Sequence, residues 1–208
     1  MKKGISSILE YAQEMVKQNV CGNGDCISLR SGDKMYISNK SVLIKDLTEN
    51  DITIVDINNP TTDEEKLHAA VYTSKPEVNS ICHAHPAWVN PVAECKLTIP
   101  AVLDDMTQIV GPHCKTVKND INSIVKELKK SNSLLIVGDG CLTTGRTLNE
   151  AYTCVLVLDK AAHCYVASAV VKKNVIINPF EAKLMRFVYV KKYSKKNQEN
   201  LQNLEEEN

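Results

Sequence analysis

Apolar residues recur along the chain with helical and strand-like spacing in turn, which predicts helices interleaved with strands. Residues 5–19 carry apolar side chains at helical spacing and are predicted to form an amphipathic helix. The apolar runs 26–30 and 34–38 flank Ser31-Gly32-Asp33, a pattern typical of a hairpin. Further strands are predicted at residues 52–56, 79–85, 98–103 and 133–138.

Capping residues indicate where several helices begin. Thr61 and Thr62 each precede a glutamate by three residues, two overlapping capping boxes that predict a helix ending before Lys75-Pro76. Thr147 and Glu150 form another such box ahead of a long helix. Other helices are predicted from Asn119 to Leu128, over residues 179–190, and briefly after Pro86.

This alternation, with several strands joined by short hairpins, predicts a mixed sheet with helices on both faces. The chain shows no internal repeat and no linker between domains, so residues 1–190 are interpreted as one domain. Residues 191–208 are almost wholly polar and are expected to be a disordered tail.

Composition and charge narrow the class of protein. The 208 residues are 43% hydrophobic and 24% charged, as in a globular protein. Lys+Arg and Asp+Glu both count 25, which argues against nucleic acid or an anionic membrane as partner. The sequence has no apolar run of membrane-spanning length and no signal-like start. We therefore expect a cytoplasmic protein whose eight cysteines are reduced.

The motif His83-Ala84-His85 is the sharpest chemical feature. Alternate residues of a strand point to one face, so these two imidazoles can bind one metal ion. The alternative is a pair of surface histidines near a proline. A catalytic metal needs a third ligand, and often an acid or base beside it. The candidates are Glu64, Glu65, His68, His113, Asp139 and His163.

Two cysteine motifs are weaker candidates. Cys21 and Cys26 have a spacing that zinc sites use, but no second pair matches them. Cys82 stands beside His83, yet adjacent strand residues face opposite sides, which argues against a nucleophile and base pair.

Five segments, in this order, together resemble the class II aldolase/adducin family. The resemblance implies a three-layer α/β/α fold around a mixed, largely antiparallel sheet. The segments are LTENDI (47–52), TDEEKLHAAVY (62–72), SICHAHPAWV (80–89), TIPAVLDDMTQIVG (98–111) and LLIVGDGCLTTGRTLNEAY (134–152).

Carried over by position, the resemblance makes His83 and His85 metal ligands and Glu64 the acid/base beside the metal. Asp139 stands where the family has its third histidine ligand, which is a departure. Two histidines and a carboxylate can hold Zn²⁺, or a harder ion such as Mn²⁺ or Fe²⁺. The ion would then be a weaker Lewis acid than with three histidines.

The family's phosphate-binding segments also differ here. The positions that resemble them suggest Ser28, Lys40, Ser41 and Thr62 as phosphate-binding residues. For Ser41 and Thr62, turn and cap chemistry is an equally weighted alternative. A tyrosine of the family is replaced in the region of Leu103-Asp104-Asp105.

The resemblance implies a metal-dependent aldolase-type lyase that cleaves a small hydroxy-ketone or sugar phosphate through a metal-stabilised enediolate. An epimerase or dehydratase of the same fold is one alternative, and a catalytically retired, adducin-like binding module is another. The family also implies a homotetramer, with the segment around Tyr189 and Tyr193 near a neighbour's site.

Overall fold

The computed structural model describes residues 2–173 and 176–206, and the side chains of residues 3–173 and 176–192. Within these ranges, nine strands and seven α-helices alternate along the chain. The strands are β1 (Cys26–Ser31), β2 (Lys34–Ser38), β3 (Ile52–Asp56), β4 (Ser80–Ala84), β5 (Ile99–Pro100), β6 (His113–Cys114), β7 (Thr116–Val117), β8 (Ser133–Ile136) and β9 (Cys141–Gly145). The helices are α1 (Lys2–Lys17), α2 (Asp63–Ser74), α3 (Val89–Glu94), α4 (Asp104–Ile109), α5 (Ile121–Leu128), α6 (Leu148–Val170) and α7 (Pro179–Glu206).

Seven of the strands form one sheet in the order β3-β2-β1-β4-β9-β8-β7, and β5 pairs with β6 separately. Every pair in the large sheet is antiparallel except β7 with β8. The predicted mixed, largely antiparallel sheet is confirmed, as is the hairpin of β1 and β2 around Gly32.

Each face of the sheet carries its own apolar core, which confirms the three-layer fold. Helices α1, α3 and α6 pack on one face, and α2 and α5 on the other. In β4, Ile81 belongs to the core under α2 and Cys82 to the core under α6. Because strand residues alternate between faces, His83 lies on the same side as Ile81, towards α2.

Hydrogen bonds at the helix starts test the predicted caps. Thr62 forms the predicted capping box with Glu65 at the start of α2. Thr147 accepts from the backbone N–H of Glu150 as predicted, but the Glu150 carboxylate accepts from the N–H of Arg146 instead of returning to Thr147. The bonds to the hydroxyls of Thr62 and Thr147 each give a partner to a backbone N–H at the start of α2 and α6, where the helix itself supplies none.

The cap of α5 was predicted wrongly. Asp120, and not Asn119, caps this helix, and its carboxylate accepts from the N–H of Ser123. The Asn119 amide is turned away and donates to Asp139. Both residue types cap helices well, so the choice between neighbours was set by this tertiary contact.

Other differences concern extent. The strand predicted at 98–103 pairs only over Ile99–Pro100, since proline offers no N–H to continue a ladder. Helix α7 is described through Glu206, and the disordered tail expected from Lys191 stays a prediction.

One described helix, α6, is long and apolar enough to span a membrane by length and composition alone. In the structure α6 packs against β4 and β9 as a core helix does. Ala151, Val155, Leu158 and Ala162 form its buried side.

Candidate metal centre

Three structural elements bring the predicted metal ligands together at one end of the sheet. Strand β4 lies between β1 and β9, and it carries His83 near its end with His85 just beyond it. Asp139 occupies the turn that joins β8 to β9, and Ala84 is paired with Cys141 at the start of β9. The tight β8–β9 turn therefore places Asp139 directly over the two histidines.

Gly140 allows this close approach. Its φ of +65° lies in the left-handed region, and a Cβ there would stand 2.2 Å from the backbone oxygen of Ala84. Only glycine fits this position without moving the β4 backbone. The Gly-Asp-Gly sequence is thus a requirement for holding Asp139 against β4.

The donor atoms of His83, His85 and Asp139 converge. They all lie within 4.8 Å of one another. Asp139 Oδ1 is 3.1 Å from His85 Nε2 and 3.6 Å from His83 Nε2. Two ligands on one tetrahedral zinc ion lie about 3.4 Å apart, given bonds of roughly 2.0–2.2 Å. The three side chains therefore fit a single divalent ion.

Each histidine is oriented from behind by a carboxylate. His83 Nδ1 is 2.7 Å from Glu64 Oε1, and His85 Nδ1 is 2.9 Å from Asp25 Oδ1. Carboxylates take this position behind metal-ligating histidines, where they fix the ring and the tautomer. If Nδ1 carries the proton towards the carboxylate, Nε2 presents a lone pair to the oxygens of Asp139. Only a proton or a cation between them makes that contact favourable.

The pKa values of these side chains also indicate that a positive charge belongs between the histidines and Asp139. Burial alone would lower the pKa of His85, but the hydrogen bonds to Asp139 and Asp25 raise it to about 9. Burial would likewise lower the pKa of His83, and the bond to Glu64 raises it. The bond from His85 holds the pKa of Asp139 below its usual range. Without an ion the imidazoles hold protons, and a bound cation would take their place.

Glu64 stands at the inner side of this centre, in the first turn of α2. Its Oε1 contacts His83 Nδ1 and lies 3.0 Å from His68 Nε2, and its Oε2 accepts from Lys40 Nζ at 3.0 Å. Burial by itself would raise the pKa of Glu64, but His68 and His83 lower it well below its usual range. The carboxylate is therefore ionised at neutral pH.

A buried chain of polar side chains extends from Glu64 into the protein. His68 Nδ1 lies 2.7 Å from Ser28 Oγ, which lies 2.7 Å from the hydroxyl of Tyr72. All three residues are inaccessible to solvent. The contacts with Ser28 and Tyr72 hold the His68 ring in place. Its Nε2 lies close to Glu64 Oε1, although the two atoms do not meet the geometry of a hydrogen bond.

The four residues suggested for phosphate binding differ in their exposure and in their hydrogen bonds. Ser28 is inside the molecule, with its hydroxyl occupied by His68 and Tyr72. The Thr62 hydroxyl is used in the α2 cap. Lys40 is half-exposed beside Glu64, and the neighbouring Ser41 is exposed in a turn where its N–H donates to Asn39. Lys40, Ser41 and Thr62 are thus exposed, whereas Ser28 is buried; the exposed side of Glu64 where Lys40 lies is the mouth of the centre.

Sequence reasoning missed two residues of the centre. Asp25 accepts from both the backbone N–H and the ring of His85, and Asn119 donates to Asp139 Oδ2 at 3.2 Å. A signal for Asp25 was present, because it directly precedes β1 and Cys26 pairs with His83. Asn119 comes from a distant loop, and nothing in its local sequence marks it.

The cysteine alternatives find no support in the geometry. All eight cysteines are free. The donor atoms of Cys26, Glu64 and His68 lie within 4.8 Å of one another, but Cys21 does not belong to this group, so the two cysteines do not form a metal site together. Burial raises the pKa of the Cys82 thiol, which makes it a poor nucleophile. Of the remaining histidines, His163 stacks on Trp88 with 4.0 Å between ring centroids, and it is not in the group of His83, His85 and Asp139.

Comparison with known proteins agrees with this architecture. An L-fuculose phosphate aldolase of Methanococcus maripaludis is 26% identical over 163 residues, covering 70% of this chain and 86% of the relative. Its counterpart in Methanococcus vannielii is 28% identical over the same length. A solved L-fuculose 1-phosphate aldolase superposes with a TM-score of 0.84 at 18% identity, covering 91% of this chain and 97% of the other.

A second solved structure, the L-fuculose-1-phosphate aldolase of Thermus thermophilus, has a TM-score of 0.74 at 16% identity and covers 83% of this chain and 97% of the other. The profile of the Class II Aldolase and Adducin N-terminal domain matches residues 7–166, which is most of the chain. The sequence motifs, the layered fold and this match lead to one conclusion: the chain belongs to the class II aldolase and adducin family.

Proposed function

We propose that this protein is a metal-dependent aldolase-type lyase acting on a small hydroxy-ketone or sugar phosphate. The observation that carries the proposal is the convergence of His83, His85 and Asp139 beside an ionised Glu64. The relatives named L-fuculose phosphate aldolase support this class of reaction and a phosphorylated substrate.

In this proposal His83, His85 and Asp139 hold Zn²⁺, with Mn²⁺ or Fe²⁺ as alternatives suited to a set with one carboxylate. The bound ion supplies positive charge against the negative charge that develops on the substrate's carbonyl oxygen. Glu64 and Asp25 keep the two imidazoles in the orientation that this requires.

Glu64 is proposed as the acid/base. It is ionised, and its Oε2 is turned towards the half-exposed Lys40 at the mouth of the centre. A carboxylate in this state can take a proton from a substrate hydroxyl and return it later in the cycle. A phosphate group entering here would draw Lys40 away from Glu64, leaving Oε2 free for the proton.

The phosphate site proposed here is smaller than the one that the sequence suggested. Lys40 supplies charge and Ser41 a hydroxyl at the mouth. Ser28 and Thr62 instead support the structure around Glu64, the first through His68 and the second through the α2 cap.

We also propose a cytoplasmic homotetramer. Helix α7 exposes Phe180, Leu184, Phe187 and Val188 at helical spacing, an apolar face suited to contact with another copy. Tyr189 lies next to this face, while the side chain of Tyr193, which the resemblance also places near a neighbour's site, is outside the described residues.

The retired, adducin-like binding module remains the competing function. Asp139 in place of a histidine favours it, because a carboxylate weakens the ion as a Lewis acid. The close approach of three possible metal ligands, His83, His85 and Asp139, to the carboxylate of Glu64 favours catalysis.

A retro-aldol screen over short sugar phosphates and hydroxy-ketones, with saturating Zn²⁺ or Mn²⁺, tests the proposal. Glu64→Gln keeps an oxygen acceptor for His83 but removes the base, and we expect a loss of about 10²–10⁴-fold in rate. Asp63→Asn is the matched control, because Asp63 is the preceding residue and its side chain is fully exposed. Equal rates in wild type and Glu64→Gln would remove Glu64 from the mechanism. Epimerisation or dehydration without cleavage would assign the alternative enzyme, and no turnover in any protein would favour the binding module.

A further inference from the structure

A cavity of about 260 Å³ lies at the other end of α2 from the metal centre. Lys75, the C-cap residue of α2, and Arg186 of α7 line it. Eleven residues separate Glu64 from Lys75, which corresponds to about 16 Å along a helix. The cavity is therefore distinct from the metal centre and from Lys40 at its mouth.

The two cations lining this cavity are desolvated. Lys75 is only 8% exposed, and Arg186 is about half-buried. Burial lowers the pKa of both groups, and the charge of Arg186 contributes to the lowered pKa of Lys75. Two like charges thus lie within each other's electrostatic range in a partly dry site, an arrangement that costs free energy unless an anion compensates it.

Neither cation forms an ion pair with a carboxylate among the side chains that the structure describes. Lys75 Nζ donates to the backbone oxygen of Ser131 at 3.0 Å. Arg186 donates to the backbone oxygens of Gln108 and Ile109. These carbonyls end a turn and helix α4, so each cation has a structural role, but neutral carbonyls leave both charges in place. The charge of Glu77 raises the pKa of Lys75 and so offsets part of the effect of burial, but Glu77 is exposed and forms no ion pair with either cation.

The remaining polar lining does not cancel these charges. Arg146 and Glu150 form an ion pair of 2.8 Å with each other. Asn132, Thr144 and Asn149 add neutral polar groups to the walls. The cavity therefore offers a lysine ammonium, a guanidinium and amide donors to one small volume. Arginine with lysine is a combination that suits phosphate, because the guanidinium binds two oxygens and the ammonium adds a point charge.

We propose that this cavity is a binding site for a phosphate group, held between Lys75 and Arg186. Its volume leaves room for a small organic remainder, so the ligand is inorganic phosphate or a small phosphate monoester. Binding would bring the guanidinium and ammonium onto one dianion without disturbing the carbonyls that they already contact.

Calorimetric titration of the full-length, metal-free protein with inorganic phosphate and with glycerol phosphate tests the proposal. The Lys40→Met background removes the site proposed at the metal centre, so that failure of that site does not affect the result. We expect one ion bound per chain. Tighter binding of glycerol phosphate would identify an ester as the ligand, and equal binding would identify phosphate itself.

Lys75→Met in this background should weaken binding about tenfold or more, the usual worth of a hydrogen bond to a charged group. Lys183→Met is the matched control, because Lys183 is exposed on α7 one turn before Arg186, and its affinity should not change. Asn149→Asp adds a carboxylate to the cavity wall at a place in the first turn of α6 where helices favour acidic residues. It should weaken binding while the thermal midpoint is kept, so a loss of fold cannot explain the result. Absence of binding, or binding unchanged by Lys75→Met and Asn149→Asp in folded protein, would overturn the proposal.

Discussion

The two ends of α2 have opposite charge arrangements. At its start, Glu64, Asp25 and Asp139 lie against histidines and one lysine, so carboxylates are in excess once the imidazoles give up their protons. At its end, Lys75 and Arg186 donate to backbone carbonyls and form no ion pair within the described part of the chain, so positive charge is in excess. In our proposals a divalent cation balances the first arrangement and an anion the second. One helix of 12 residues thus separates two proposed sites for ligands of opposite sign.

Replacing a proposed metal ligand should change metal affinity more than any other substitution. His85→Ala removes one of three donors, while Asp25 keeps its bond to the backbone N–H at position 85. We expect metal affinity to fall by more than the 10–100-fold that loss of an outer partner costs. Titration with Zn²⁺ measures this, with His163→Ala as a control outside the centre. Unchanged affinity in His85→Ala would exclude His85 as a ligand.

Loss of an outer carboxylate should have the next largest effect. Asp25→Asn weakens the acceptor that orients His85 and removes negative charge, so metal affinity should fall about 10–100-fold. Asp33→Asn, in the exposed turn between β1 and β2, is the control. An equal loss in both variants would show that the effect is not specific to the metal centre.

Metal binding should also depend on pH. In the metal-free protein the pKa of His85 is raised to about 9, so a proton must leave before an ion binds at pH 7. Affinity should therefore rise by up to about tenfold per pH unit for each proton displaced, and level off near pH 9. Calorimetry in buffers of different ionisation enthalpy counts the protons. A flat profile from pH 6 to 9 would show that His85 is not protonated in the free protein.

The smallest effect is expected in the buried chain behind Glu64. Tyr72→Phe removes the hydroxyl that contacts Ser28 and leaves the bond between Ser28 and His68. The free energy of unfolding should fall by about 1 kcal/mol, the net worth of one hydrogen bond. Denaturant unfolding measures this, and metal content should stay at the wild-type value. Loss of metal in Tyr72→Phe would instead show that the chain controls the centre.

Local signals were enough to predict much of the fold and the inner part of the centre. The capping box at Thr62 and the hairpin at Gly32 depend on neighbouring residues, and both were confirmed. That His83 and His85 point to the same face follows from strand geometry. That Asp139 lies over them depends on the β8–β9 turn, which the Gly-Asp-Gly sequence marks.

The parts that escaped prediction depend on contacts between distant segments. The prediction of Asn119 as a helix cap is wrong because its amide instead contacts Asp139, a contact that joins two loops. The burial of Ser28 against Tyr72 and His68 likewise arises only when β1 meets α2. Lys75 and Arg186 are 111 positions apart in the chain, and no local pattern relates them.

Elemental analysis of the purified protein tests the metal centre most directly. After expression with added Zn²⁺ or Mn²⁺, the wild type should hold one divalent ion per chain, and Asp139→Ala should hold much less after the same dialysis. A wild type without metal, or an Asp139→Ala protein that keeps a full equivalent, would contradict the assignment of His83, His85 and Asp139 as the ligands.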